Sequence, residues 1–275
     1  VSEVLSQVLD LPGGAVAWRE AGQGPALLLL HGIGGHSGAW SHQLVSLAQR
    51  YRVLAWDAPG YGGSEALDEP EPKVADYVNR LESWLDAIDV REWLGVGHSL
   101  GAIFLAALAA RREPPHRAVL LHPMAGLGGM DAAARESLRA ARIAELTALG
   151  PRVFAERRAD AVLGRGTPSA RVERAITVMA EAPVAGYLAA WEALCGADIF
   201  PLLDRLGSPT LVISGEEDAG SPPALGQRMA EALLRGESVV MPGVGHYAPI
   251  EAPEALDPIL LAWLGGPAEP NLRKN

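Results

Sequence analysis

The sequence predicts an α/β fold: a mostly parallel central sheet with helices on both faces and an all-helical segment inserted after the sixth strand. Three observations carry this reading. Short apolar runs alternate with helix-length amphipathic segments over residues 1–122, the rhythm of a parallel sheet wound through crossover helices. Over residues 123–204 the strand runs disappear and helical spacing alone remains. After residue 205 the strand–helix rhythm returns. The expected division is therefore a core of 1–122 and 205–275, with 123–204 as the insertion.

The elements follow in order. Gln7–Leu11 and Ala15–Glu20 flank Pro12-Gly13-Gly14 and read as a hairpin. Ala26–Leu30 is an unbroken apolar run, as expected of a strand covered on both faces, and Tyr51–Trp56 is the next strand. Across Lys73–Ile88 the residues Val74, Tyr77, Val78, Leu81, Trp84, Leu85 and Ile88 recur at helical spacing. Strand Trp93–Gly97 leads into an Ala-rich helix, Leu100–Arg111, which Pro114-Pro115 stops; Ala118–His122 is the sixth strand. The insertion holds helical runs at Asp131–Leu149, Pro151–Leu163, Ser169–Glu181 and Val184–Leu194, punctuated by Gly and Pro. Strand Thr210–Ser214, a helix near Ala224–Leu234, strand Ser238–Met241 and a helix at Pro253–Leu264 complete the core. The tail Gly265–Asn275 is expected to be loose.

Composition bounds the function. A chain of 275 residues, 49% of them hydrophobic, can bury one large core. A net charge of −10 argues against a general nucleic-acid surface, which needs clustered positive charge. The single cysteine, Cys195, permits no intrachain disulfide and no cysteine-rich metal site; its place in a helical run makes it a packing residue. No apolar stretch approaches the roughly 20 residues a membrane span requires, and no basic segment leads into an apolar one at the start. A cytoplasmic location is expected, with no membrane partner and the oligomeric state left open.

In a mainly parallel sheet, ligands bind beyond the carboxyl ends of the strands, and the chemically suggestive residues lie there. Gly97-His98-Ser99-Leu100-Gly101 follows a strand and opens a helix. In such a G-x-S-x-G elbow the serine sits on a sharp turn at a helix N-terminus, and a Cβ at either glycine would clash with neighbouring backbone. A serine needs a base. Of the seven histidines, His246 is favoured: it lies in the Gly-rich loop Gly243–Tyr247, after the last strand and late in the chain. His31, His36, His42 and His98 occupy other loops and turns, His116 is expected to be exposed, and His122 ends a strand and could line the pocket. The base needs a carboxylate to hold its tautomer. Glu216, Glu217 and Asp218 compete; Asp218 is chosen because the loop then turns through Gly220-Ser221-Pro222-Pro223, and the two glutamates are expected to be solvated. Donors for an oxyanion are assigned to the backbone N–H groups of Leu100 and Ile33, with Gly34 the near alternative. Asp57, in Asp57-Ala58-Pro59-Gly60, reads as structural turn chemistry.

Taken together, His31-Gly32, Asp57 to Ser64, Gly97 to Gly101, Gly215 to Asp218 and Gly245-His246 resemble the α/β-hydrolase superfamily over almost the whole chain outside the insertion. The insertion resembles that family's cap domain. Within the superfamily the pattern is similar to the esterase, enol-lactonase and C–C-bond hydrolase group; Ser99 differs from the Asp that haloalkane dehalogenases and epoxide hydrolases carry at the elbow. C–C hydrolases of ring-fission products usually have Asn before the serine and Trp after the histidine, where this chain has His98 and Tyr247.

The resemblance implies a serine hydrolase acting on a small carboxylic ester or lactone through an acyl-enzyme. Ser99 would be the nucleophile, His246 the base and Asp218 its orienting acid, with no metal or organic cofactor. The alternatives are C–C bond hydrolysis, another reaction on the same site such as acyl transfer, and a non-catalytic ligand-binding homologue. The inserted helices are rich in Arg, among them Arg139, Arg142, Arg152 and Arg158. Most are expected to be solvated, and one could recognise a substrate carboxylate.

Overall fold

The computed structural model describes residues 3–266, so most of the tail expected to be loose lies outside the described residues. One sheet holds β1 (Leu5–Leu9), β2 (Val16–Ala21), β3 (Ala26–Leu30), β4 (Arg52–Trp56), β5 (Trp93–His98), β6 (Ala118–Leu121), β7 (Thr210–Gly215) and β8 (Gly236–Met241). Their order is β1-β2-β4-β3-β5-β6-β7-β8. The β1–β2 and β2–β4 pairs are antiparallel; every later pair is parallel.

The unbroken apolar run of β3 has a simple cause. Side chains alternate across a strand, and both faces are covered. Leu28 and Leu30 join Leu54 and Trp56 in the core under α2 (Val74–Ala87) and α3 (Leu100–Ala109). Leu27 and Leu29 join Val53 and Ala55 in the core on the opposite face. That second core is closed by α1 (Ser41–Ser46) and α10 (Pro253–Leu264), through Leu44, Leu256 and Leu260.

Between β6 and β7 lie α4 (Ala132–Val162), α5 (Ser169–Ala180), α6 (Val184–Gly196) and the short α7 (Phe200–Leu203). After β7 come α8 (Pro223–Ala232) and, past β8, α9 (Ala248–Glu251). The insertion is thus helical, as its spacing predicts. The first two predicted runs abut without a linker: α4 is interrupted at Gly150 alone (φ 71°, ψ 167°), and Pro151 opens the second rod, where its missing N–H costs nothing. The insertion is joined to the core. Tyr187, Trp191 and Leu194 of α6 belong to the main core, and Ala175 and Val178 of α5 pack with Tyr247 and Ile250.

Two expectations shift in register. The first strand begins at Leu5 rather than Gln7 and ends at Leu9, opposite Val16. The connection between Leu9 and Val16 spans residues 10–15, longer than a tight hairpin, and within it Gly13 and Gly14 both take positive φ (92° and 119°). The last strand starts at Gly236, two residues before the predicted Ser238. Cys195 is buried, and burial pushes its thiol up to about 11, which keeps it protonated and inert. Among the described residues no helix is long and apolar enough to cross a membrane.

Candidate active site

The elbow forms as the motif demands. Ser99 joins β5 to α3 with φ 57° and ψ −116°, a conformation costing a non-glycine residue about 1–3 kcal/mol. A Cβ at Gly97 would lie 2.7 Å from Ala102 Cα, and one at Gly101 would lie 2.7 Å from the His31 carbonyl oxygen. Gly32, on the facing loop, approaches as closely: its Cβ would be 2.7 Å from that of Ser99. The strained serine is therefore gripped by three glycines that let neighbouring backbone come within contact.

Two distant loops complete the arrangement. His246 Nε2 lies 2.9 Å from Ser99 Oγ, and His246 Nδ1 lies 2.7 Å from Asp218 Oδ2. The carboxylate can only accept, so Nδ1 carries the proton and the Nε2 lone pair faces the serine hydroxyl. Asp218 is buried, and its Oδ1 accepts from the N–H groups of Gly220 (2.9 Å) and Ser221 (2.8 Å). The turn at Gly220 is therefore what aims the carboxylate. Burial alone would raise the Asp218 carboxyl; the His122 and His246 imidazoles against it reverse that and hold it well below the usual carboxylate range.

Several residues around this line have roles that the sequence does not disclose. His98 Nε2 donates to the His246 carbonyl oxygen at 2.7 Å, and its ring stacks on Tyr247. Burial keeps His98 far below the usual histidine range, so it is neutral. His122 does not line the pocket as expected. It is fully buried behind the carboxylate, with Nδ1 3.3 Å from Asp218 Oδ2 and 3.1 Å from Gly215 N. Glu251 is buried and collects four donors: Gly164 N (2.7 Å), Gly245 N (2.9 Å), Tyr247 N (2.6 Å) and Thr167 Oγ1 (3.2 Å). It thus clamps both sides of His246 and ties that loop to the junction between α4 and α5 of the insertion, where His246 N also donates to the Val162 carbonyl oxygen at 2.6 Å.

The remaining candidates fall elsewhere. His31 Nδ1 donates to Gly32 O (2.8 Å) while its Nε2 accepts from Ala58 N (3.0 Å), pinning two loops together. Asp57 accepts from Ser37 N at 2.6 Å, which ties its turn to the loop after β3. His36 and His42 pair with Glu181 and Asp257, and His116 is half-buried, 3.9 Å from Glu92. Glu216 is exposed, but Glu217 is not merely solvated; it accepts from Arg165 N at 2.7 Å and joins the insertion to the Asp218 loop. The side chains of His122, Asp218 and His246 could present metal ligands within 4.8 Å of one another. The hydrogen bonds just described already engage Asp218 and His246.

Above Ser99 is a cavity of about 380 Å³, lined by Ile33, His98, Ser99 and His246 from the core and by Arg142, Phe154, Arg158 and Trp191 from the insertion. Ile33, assigned as an oxyanion donor, and Gly34 both line this cavity. Gly34 N, the near alternative, lies 3.4 Å from the Tyr61 hydroxyl. Leu100, the other assigned donor, is the first residue of α3 and follows Ser99 directly.

A strand–serine–helix elbow facing a histidine and a buried aspartate, on a parallel sheet with inserted helices, is the architecture of a hydrolase. The chain belongs to the alpha/beta hydrolase family, whose model matches residues 27–258. It is 25% identical over 273 residues to the (E)-2-((N-methylformamido)methylene)succinate hydrolase of Acinetobacter baylyi, covering 95% of this chain and 98% of that one. Its structure resembles a thermophilic esterase from Thermogutta terrifontis (TM-score 0.84, 24% identity, 96% of this chain and 98% of that one). It also resembles the enol-lactonase of Burkholderia xenovorans (TM-score 0.82, 23% identity, 94% and 100%). At those identities the two structural likenesses speak to fold alone.

Proposed function

We propose that this chain is a serine hydrolase that cleaves a small carboxylic ester or lactone through an acyl-enzyme. The observation that carries the reading is the unbroken line from Ser99 Oγ through the His246 ring to Asp218 Oδ2, at 2.9 and 2.7 Å. His246 Nε2 takes the Ser99 proton as the oxygen attacks the acyl carbonyl, and Asp218 stabilises the imidazolium. The N–H groups of Ile33 and Leu100 receive the oxyanion, the latter aided by the α3 N-terminus. His246 protonates the leaving alkoxide, then activates water to release the acid and restore Ser99. Residues 123–204 act as a cap over the cavity, and 1–122 with 205–275 form the catalytic core.

A fluorophosphonate probe should label the wild-type chain and not Ser99→Ala. Against a panel of 4-nitrophenyl esters and lactones, Ser99→Ala should lose about four or more orders of magnitude in kcat. A Ser99→Ala chain that keeps most of its turnover would overturn the assignment.

A further inference from the structure

The arginines of the insertion separate into two groups. Arg139, Arg152, Arg165 and Arg171 are held in ion pairs with glutamates, and Arg174 donates to the Gly38 carbonyl oxygen. Arg142 and Arg158 instead line the cavity over Ser99. Arg142 is fixed in place: it donates to the Tyr187 hydroxyl at 2.9 Å and stacks over Trp191, 4.9 Å from the ring centroid. Its closest carboxylate, Glu145, is 3.8 Å away. Arg158 makes no ion pair or hydrogen bond among the described residues. Burial first, and then the charge of Arg142, holds its guanidinium below the usual range. Two guanidinium groups thus share a largely apolar cavity whose lining residues include no carboxylate; Glu145, 3.8 Å from Arg142, is not among them. Such an arrangement is unfavourable empty and favourable around an anion, because a guanidinium offers a planar fork of donors that matches a carboxylate.

We propose that Arg142 and Arg158 form a carboxylate-binding subsite of the Ser99 cavity, so that the substrate is an ester or lactone bearing a free carboxylate. This deepens the hydrolase reading and rests on it. Arg158 supplies the unspent charge; Arg142, locked between Tyr187 and Trp191, supplies a fixed direction. The substrate carboxylate binds at the insertion side of the cavity, and the acyl carbon is left over the elbow.

Two measurements test the subsite. The first compares kcat/KM for 4-nitrophenyl monoesters of succinic, glutaric and adipic acid with neutral esters of matching length. The anionic ester should be preferred by about tenfold or more at one length at least, the gain expected of one charge-assisted pair. Arg158→Gln should bring that ratio close to one, and Arg158→Glu should invert it. Arg157→Gln, exposed on the same helix, should keep the ratio. The second measures binding of glutarate to Ser99→Ala by calorimetry, with and without Arg158→Gln, and so needs no turnover. Turnover of neutral esters with no anionic preference at any length overturns the subsite and leaves the hydrolase reading standing. Arg158-dependent glutarate binding with no ester turned over supports the subsite and overturns that reading. If no ester is turned over and glutarate binds equally with and without Arg158, the subsite falls.

Discussion

His98 Nε2 donates a 2.7 Å hydrogen bond to the backbone carbonyl of His246, so the residue beside the elbow serine holds the main chain of the imidazole that faces that serine. His98→Phe would keep a ring against Tyr247 and remove the donor. We expect kcat to fall by about tenfold to a hundredfold with a smaller change in KM, since misplacing a base chiefly affects the chemical step. Stability should fall by about 1–3 kcal/mol, the usual cost of stranding a buried acceptor. Steady-state kinetics and urea unfolding read the two effects separately; an unchanged kcat would contradict the positioning role.

Glu251 gathers three backbone N–H groups and a threonine hydroxyl around one buried carboxylate. In Glu251→Gln an NH2 group must face N–H donors. The expected loss is about 2–4 kcal/mol of stability, with reduced turnover because Gly245 and Tyr247 flank His246. Glu251→Asp should also lose stability, being too short to reach all four donors. Equal urea midpoints for wild type and Glu251→Gln would rule the clamp out.

Gly32→Ala places a methyl group 2.7 Å from Ser99 Cβ. We expect about a hundredfold loss of activity at least, because the serine or its facing loop must move. Gly196, at the end of α6, has nothing within 4 Å of its would-be Cβ. Gly196→Ala should be neutral or stabilising by up to about 1 kcal/mol. Parallel thermal unfolding and kinetics on the two variants make the comparison; a tolerated Gly32→Ala would contradict it.

Acid should weaken the fold as buried histidines are forced to take up protons. Burial lowers His31 from 6.5 to about 4, in keeping with its Nε2 facing the Ala58 N–H. The unfolded chain takes up this proton below 6.5 and the folded chain only near 4, so the associated stability is whole above 6.5 and drains away as pH falls toward 4. The loss from His31 is about 3 kcal/mol. Burial lowers His36, His98 and His122 in the same direction. Urea unfolding across this pH window should give falling midpoints, with a shallower slope in His31→Asn; a flat wild-type profile would refute this.

What could be read from the chain alone follows from how local each signal is. The elbow is legible because Gly97, Ser99 and Gly101 impose their geometry within five residues. Asp218 and His246 are legible because each follows a strand and the chain order constrains them. His98, His122 and Glu251 are not, since their types are unremarkable and their partners are supplied by folding: His98 meets a carbonyl 148 positions away, and Glu251 meets Gly164 from 87 positions away. The arginines behave likewise. Composition registers an arginine-rich insertion, but whether a guanidinium meets Glu254, as Arg171 does, or faces a cavity, as Arg158 does, depends on how the helices pack. The shifted first strand has a similar origin, because its bounds follow from the pairing of Leu5–Leu9 with Val16–Glu20, a partner that local alternation does not encode.

The bond from His246 N to the Val162 carbonyl, with the Glu251 contact to Gly164 beside it, has a consequence for engineering. Exchanging the inserted helices with those of a relative would transplant more than a pocket wall. The graft would also carry the backbone rung on which the histidine loop rests. Chimeras that move residues 132–164 together with the loop from Gly243 to Glu251 should keep their catalytic alignment, whereas grafts cut at the helices alone would sever one interlocked unit.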